Sequence, residues 1–124
     1  MTHATVDPHA LPPEVAALRD RLSAFLEGEL LPAELREGVV DEAQASPALS
    51  RFARARSAEL GFYRLAQPAE LGGGGLGPVG VAALLEEIAR SQCALGGRVL
   101  GGDGGLLRMA SGAQRERFLL PVLR

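Results

Sequence analysis

The chain has 124 residues, one ordinary domain's worth, with 47% hydrophobic residues and a formal net charge of −2. That composition supports a buried core, and the lack of a basic excess argues against nucleic acid as the main partner. All 13 basic residues are Arg, which removes Schiff-base chemistry and a Walker-type phosphate lysine. Cys93 is the single cysteine, so no disulfide framework or thiolate metal cluster is expected. His3 and His9 fall in a proline-containing lead-in, read as disordered over residues 1–12, and no metal site is assigned. No apolar run reaches the ~20 residues that cross a bilayer, and no signal-peptide pattern opens the chain. The expectation is a soluble, cytoplasmic protein without a membrane span.

In chain order, the first predicted helix starts at Pro13. It carries Val15, Leu18, Leu22, Phe25 and Leu26 on one stripe and should close at Pro32. A second helix has Ser46 as its cap, Pro47 at its first position and Gly61 just past its end. Leu49, Phe52, Ala53 and Leu60 form its apolar stripe, with Arg51, Arg54 and Glu59 outward. Residues 62–66 read as a short extended piece. The third helix opens at Pro78 and should bury Val81, Leu84, Leu85 and Ile88, with Glu86 and Arg90 as an exposed pair.

The fourth segment, residues 93–110, is ambiguous. Val99, Leu100, Leu106 and Leu107 are spaced helically, yet six of the ten residues from Gly96 to Gly105 are glycine. At ~0.8–1 kcal/mol each relative to alanine, the glycines weigh about 5–6 kcal/mol against helix. A last helix opens on Ser111-Gly112-Ala113-Gln114, a candidate capping box, and runs towards Pro121. The fold class is all-α, a bundle of four to five helices.

No catalytic constellation emerges from these residues. Gly72-Gly73-Gly74-Gly75-Leu76-Gly77 satisfies the dinucleotide pattern G-x-G-x-x-G, but neither flanking strand exists to make it a Rossmann site. Glu86 and Glu87 are neighbours, so on a helix they diverge by about 100° and cannot share a substrate atom. Cys93 has no histidine near it in sequence to act as its base, and reads as a small packed thiol. Asp103, between two glycine pairs, fits either a turn or a pocket wall.

The order of several short motifs adds a resemblance. Glu59-Leu60-Gly61 followed by Pro68-Ala69-Glu70-Leu71-Gly72-Gly73 resembles the E-L-G…P-E-E-Y-G-G segment of acyl-CoA dehydrogenases. Glu86-Glu87-Ile88-Ala89-Arg90 follows at the family's usual distance, similar to its E-E-[IL]-A-R motif. Residues 25–32 resemble the end of the family's first helix. Ser111–Pro121 is similar to the motif that closes its helical domain. The resemblance runs over residues 14–124 and assigns residues 13–124 to the family's N-terminal helical domain.

It implies an FAD-dependent oxidoreductase of fatty acid metabolism that oxidises an acyl-CoA to the trans-2-enoyl-CoA. The middle β-barrel, with its T-E-x-x-[GA]-G-S-D flavin motif, and the C-terminal domain that supplies the base are absent from these residues. The chain alone is therefore expected to hold no FAD and to be inactive. Its implied partners are acyl-CoA and the catalytic domains or a partner subunit, with a homo-oligomer as in the family. The other reading is a non-enzymatic helical interaction module, or a remnant that keeps only the fold. Leu71 and Ala110 depart from the family pattern, and the stretch before Gln114 is about three residues short, nearly one helical turn. That stretch lines the far end of the family's acyl pocket, which makes Arg98, Leu100 and Asp103 the candidate substrate-pocket residues.

Overall fold

The computed structural model describes residues 10–102 and 108–123, and among them every regular element is helical. Four helices result. Helix α1 is continuous through Pro13–Phe25, a π-helical turn at Leu26–Leu30, and Leu31–Glu37. Helix α2 is Pro47–Glu59 and α3 is Pro78–Ser91. Helix α4 joins Gly112–Gln114, a second π turn at Arg115–Leu119, and Leu120–Leu123. The lead-in expectation for residues 1–9 lies outside the described residues, as do Asp103, Leu106 and Leu107.

Pro32 does not close the first helix. Proline lacks an N–H, and its ring collides with the carbonyl four residues back in a regular helix. Here the turn ahead of it widens, and the Leu31 N–H bonds Leu26 O, five residues back. The same device precedes Pro121, where the Leu120 N–H reaches Arg115 O. Both prolines follow a Leu-Leu pair, and both are carried inside a helix. Helix α1 ends instead at Gly38, whose φ of 69° allows Gly38 N–H and Val39 N–H to bond Leu35 O and Glu34 O.

The expected ends of α2 are found. Ser46 Oγ accepts the Leu49 N–H at 3.0 Å, and Gly61, at φ 84°, closes the other end. Phe52, expected in the core stripe, is 38% exposed. Ser57 takes a fully buried place instead and donates to Arg54 O. Residues 62–66 are not extended. They form turns, with Arg64 held left-handed at φ 68°.

Helix α3 is rotated from the expected face. Gly80, Ala83, Leu84, Glu87 and Ile88 are buried, Val81 is half-buried and Leu85 is 51% exposed. At 100° per residue, burying Glu87 beside Leu84 swings Leu85 towards solvent. Arg90 accordingly pairs with Glu87 and not with Glu86, because a buried carboxylate needs a partner more than an exposed one does. Helix α3 packs along the first half of α1. Leu22, Phe25, Leu26 and Leu30 of α1 meet Leu49 and Ala53 of α2, Leu84 and Ile88 of α3, and Leu95, Val99 and Leu100 in one core. A bidentate contact of Arg56 Nε and Nη2 with the Glu29 carboxylate, at 2.7 and 3.1 Å, ties α2 to α1.

Across 93–102 the chain forms turns around a short 3-10 segment, Gly96–Arg98, and no α-helix. The glycine cost is thus avoided while Leu95, Val99 and Leu100 still reach the core. Ser111 precedes α4 but its side chain caps nothing. Gly112 enters at φ 48°, so the first N–H groups are not presented to the hydroxyl as a regular first turn would present them. No helix among the described residues is long and apolar enough to cross a membrane.

Candidate functional site

The glycine run at 72–77 is the first place to look for a phosphate cradle. The N–H groups of Gly72 to Leu76 are already taken: Gly74 bonds Arg64 O, Gly75 bonds Gln67 O and Leu76 bonds Leu65 O, at 2.8–3.1 Å. Gly72 and Gly73 bond Ala69 O and Pro68 O. A Cβ on Gly73 would stand 2.3 Å from Gln67 Cβ and its carbonyl oxygen, and one on Gly74 would stand 2.6 Å from Leu65 Cδ1. These glycines exist so that two backbone segments can touch. The loop therefore spends the N–H groups of Gly72 to Leu76 on its own backbone, and without flanking strands the dinucleotide reading fails on topology as well.

A recess of about 380 Å³ opens on the other glycine-rich stretch. Helix α2 supplies Ser50 and Arg54, one turn apart on the same face, and the turn after it supplies Tyr63. Gly97, Arg98, Gly101 and Gly102 make the facing wall. The Arg54 guanidinium lies 5.1 Å from the Tyr63 ring centroid. Gly101 has φ 75°, and a Cβ there would stand 3.0 Å from Tyr63, so that position requires glycine. Gly97 and Gly102 differ: nothing lies within 4 Å of a Cβ built on either.

The wall is held from behind. Glu34 is 1% exposed, and its two carboxylate oxygens accept the N–H groups of Ala94 and Leu95 at 2.9 and 2.8 Å. The Arg64 N–H bonds Leu100 O at 2.9 Å, and buried Gln67 donates its side-chain amide to Gly102 O. Cys93 Sγ faces Leu26 O at 3.6 Å. Burial pushes the thiol's pKa up, a Ser91 hydrogen bond opposes this, and the Glu34 and Glu27 charges add to the rise. A thiol held protonated is a packing residue and no nucleophile.

Of the sequence candidates, Arg98 lines the recess, with its Nε on the Glu42 carboxylate. Leu100 is 6% exposed and belongs to the core behind it. Asp103 lies outside the described residues. Ser50, Arg54 and Tyr63 were missed. The i, i+4 spacing of Ser50 and Arg54 was the available signal, but Tyr63 reaches them only through the left-handed turn at Gly61, after which its N–H bonds Ser57 O. A second depression, about 400 Å³, lies between α1 and α3 and is lined by Arg19, Glu86, Glu87 and Arg90 among others. Glu86 is exposed and Glu87 buried, so the two carboxylates do not converge. No group of three or more His, Cys, Asp or Glu among the described residues is arranged to hold a metal.

The family model described as acyl-CoA dehydrogenase, N-terminal domain, matches residues 12–124. The chain belongs to the acyl-CoA dehydrogenase family. It is similar to benzylmalonyl-CoA dehydrogenase of Aromatoleum aromaticum, at 33% identity over 116 residues. That match covers 90% of this chain and 29% of the relative, so the chain spans under a third of the relative's length. No solved structure matches at comparable stringency. The family generally uses FAD, and the glycine run does not fit its pyrophosphate, because the N–H groups of Gly72 to Leu76 are bonded within the chain.

Proposed function

We propose that residues 13–124 are the N-terminal helical domain of a cytoplasmic, FAD-dependent acyl-CoA dehydrogenase that converts an acyl-CoA to its 2-enoyl-CoA. The observation that carries this reading is the family match along nearly the whole chain, together with the all-helical fold. The domain's own work is shape. Its core holds the 97–102 wall in place, and the recess in front of it receives the far end of the acyl group. Arg98 lines that end, while Leu100 supports it from the core side. The flavin and the base that removes the α proton come from catalytic domains or a partner subunit, and the complete enzyme is a homo-oligomer.

The purified chain is expected to be colourless and to reduce no dye with acyl-CoA. Combined with a polypeptide bearing the T-E-x-x-G-S-D motif, sought in the DNA following the Arg124 codon, it should turn yellow and become active. Stoichiometric FAD on the chain alone overturns the assignment of the flavin to other domains. A folded, yellow combined protein that no acyl-CoA bleaches overturns the dehydrogenase reading.

A further inference from the structure

A hollow of about 250 Å³ lies where α1 ends and α2 begins. Ala33, Arg36 and Glu37 line it from α1, and Ala48, Leu49 and Phe52 line it from α2. The small side chains of Ala33 and Ala48 leave the volume, and Phe52 stays 38% exposed beside it. Arg36 makes no hydrogen bond or ion pair among the described residues. Glu37 is engaged, because its carboxylate accepts the Ser46 hydroxyl at 3.0 Å.

The loop that joins the two helices leaves and returns at this hollow, since the Ser46–Glu37 bond closes it. It carries Val40, which is 84% exposed; no large apolar side chain among the described residues is more so. Val40 stands at most ~11 Å of extended chain from Glu37, yet it does not fill the hollow beside it. The loop is pinned where it carries this valine. The Val40 and Asp41 N–H groups both donate to Gln44 Oε1, at 3.0 and 3.2 Å. Asp41 Oδ1 accepts the Ala43 N–H at 2.8 Å, Glu42 pairs with Arg98, and Val39 is buried. An apolar side chain on a pinned loop loses little further freedom when it docks, which favours association.

We propose that this face is a contact between two copies of the chain, with Val40 of each seated in the hollow of the other. Knob and hollow belong to one face, so a two-fold axis lets each copy give what it receives. Asp41, exposed beside the knob, then comes next to Arg36, unpaired beside the hollow. That opposite-charge pair, made twice, sets the register more than the affinity. A partner of another sequence would have to supply a second knob, whereas this chain already carries both halves of the fit. The inference uses no part of the dehydrogenase reading and stands or falls apart from it.

The test is sedimentation equilibrium of the chain over about 10 μM to 1 mM, the range suited to a small interface. A reversible monomer–dimer equilibrium is expected. A sample mixing labelled and unlabelled chains should show nuclear Overhauser contacts between the Val40 methyls and the Phe52 ring. Val40→Asp, at so exposed a site, should leave the thermal midpoint unchanged. It should weaken the dimer by at least about tenfold, because a two-fold contact loses the valine twice. Ala48→Leu should weaken it as much by filling the hollow, again without loss of fold, since Ala48 is exposed. Arg36→Gln should weaken it less, and raised salt should erase that smaller difference.

A chain that stays monomeric throughout the range overturns the proposal, and so does a dimer that Val40→Asp leaves intact. A monomer whose Val40 and Phe52 signals shift only when the catalytic polypeptide is added gives the hollow to that partner and overturns it equally.

Discussion

Two glycine-rich stretches sit in one short chain and use the same residue for opposite ends. In residues 72–76 the missing side chains let backbone lie against backbone, and the N–H groups point inward to the carbonyls of 64–69. In residues 96–102 only Gly96 and Gly101 are pressed by neighbours, whereas Gly97 and Gly102 face open space. The first stretch is a weld and the second is a wall with a hollow in front of it. Counting glycines cannot separate them. What separates them is where each N–H goes and what a Cβ would meet.

The largest expected effect is Gly73→Ala. The added carbon would sit 2.3 Å from Gln67, against its backbone as well as its side chain, so no rotamer change relieves it. Overpacking of this kind costs about 3 kcal/mol when the backbone must shift. Urea unfolding should read that loss directly. An unfolding midpoint equal to that of the parent would mean the weld is slack and the contrast false.

Next comes Glu34→Gln. The carboxylate accepts two backbone N–H groups at the entrance to the second stretch and is almost fully buried. An amide can accept only one of them and turns its own NH₂ towards the other. Hydrogen bonds to charged groups contribute ~1.5–3 kcal/mol, so a loss of about 2 kcal/mol is expected. Amide exchange should quicken at Ala94 and Leu95 while Val81–Ile88 in α3 stays protected. Uniform quickening would show that Glu34 supports the whole core and not that wall alone.

Much of the frame was legible in the sequence. The stripe of α1, the Ser46 cap and the Gly61 stop all follow from local rules, and local rules suffice where neighbours in sequence are neighbours in space. The error at Pro32 came from treating proline as a terminator, when a widened turn one step earlier lets the helix continue. The rotation of α3 was illegible because it depends on Glu87 being buried, a tertiary choice. The recess was half visible: Arg98 stood in the right stretch, but Ser50, Arg54 and Tyr63 meet it only through the turn at Gly61, the Arg64 N–H bond to Leu100 O and the Gly101 contact. The glycine arithmetic correctly opposed a helix over 96–102. It could not foresee that Leu95, Val99 and Leu100 would be buried without one.

A smaller effect tests the frame without touching either stretch. Arg56 hydrogen bonds hold the Glu29 carboxyl below its ordinary range. A lowered carboxylate pKa contributes stability that is full above the unfolded value and is lost as pH falls through the folded value. The pair is partly exposed, so salt screens it and the contribution is modest. Thermal midpoints of the parent and Arg56→Gln should differ at pH 7 and converge under acid conditions below the ordinary carboxylate range. A difference that persists undiminished in acid would mean Arg56 acts through packing and not through its charge.

Gly97→Ala should do least to stability, and that is its value. The position has no positive φ and lies in a 3-10 turn that alanine can adopt. No atom stands within 4 Å of the new carbon, so there is nothing to displace. Alanine also narrows the unfolded ensemble, which favours the native state by ~0.4–1 kcal/mol where the backbone is compatible. The expected result in the same urea experiment is therefore unchanged or slightly raised stability, opposite in sign to Gly73→Ala. A loss near that of Gly73→Ala would show that the two stretches are packed alike and that the recess closes in solution. A neutral or stabilising result leaves glycine at this position without a folding reason, and the open volume before Arg98 is then what the residue provides.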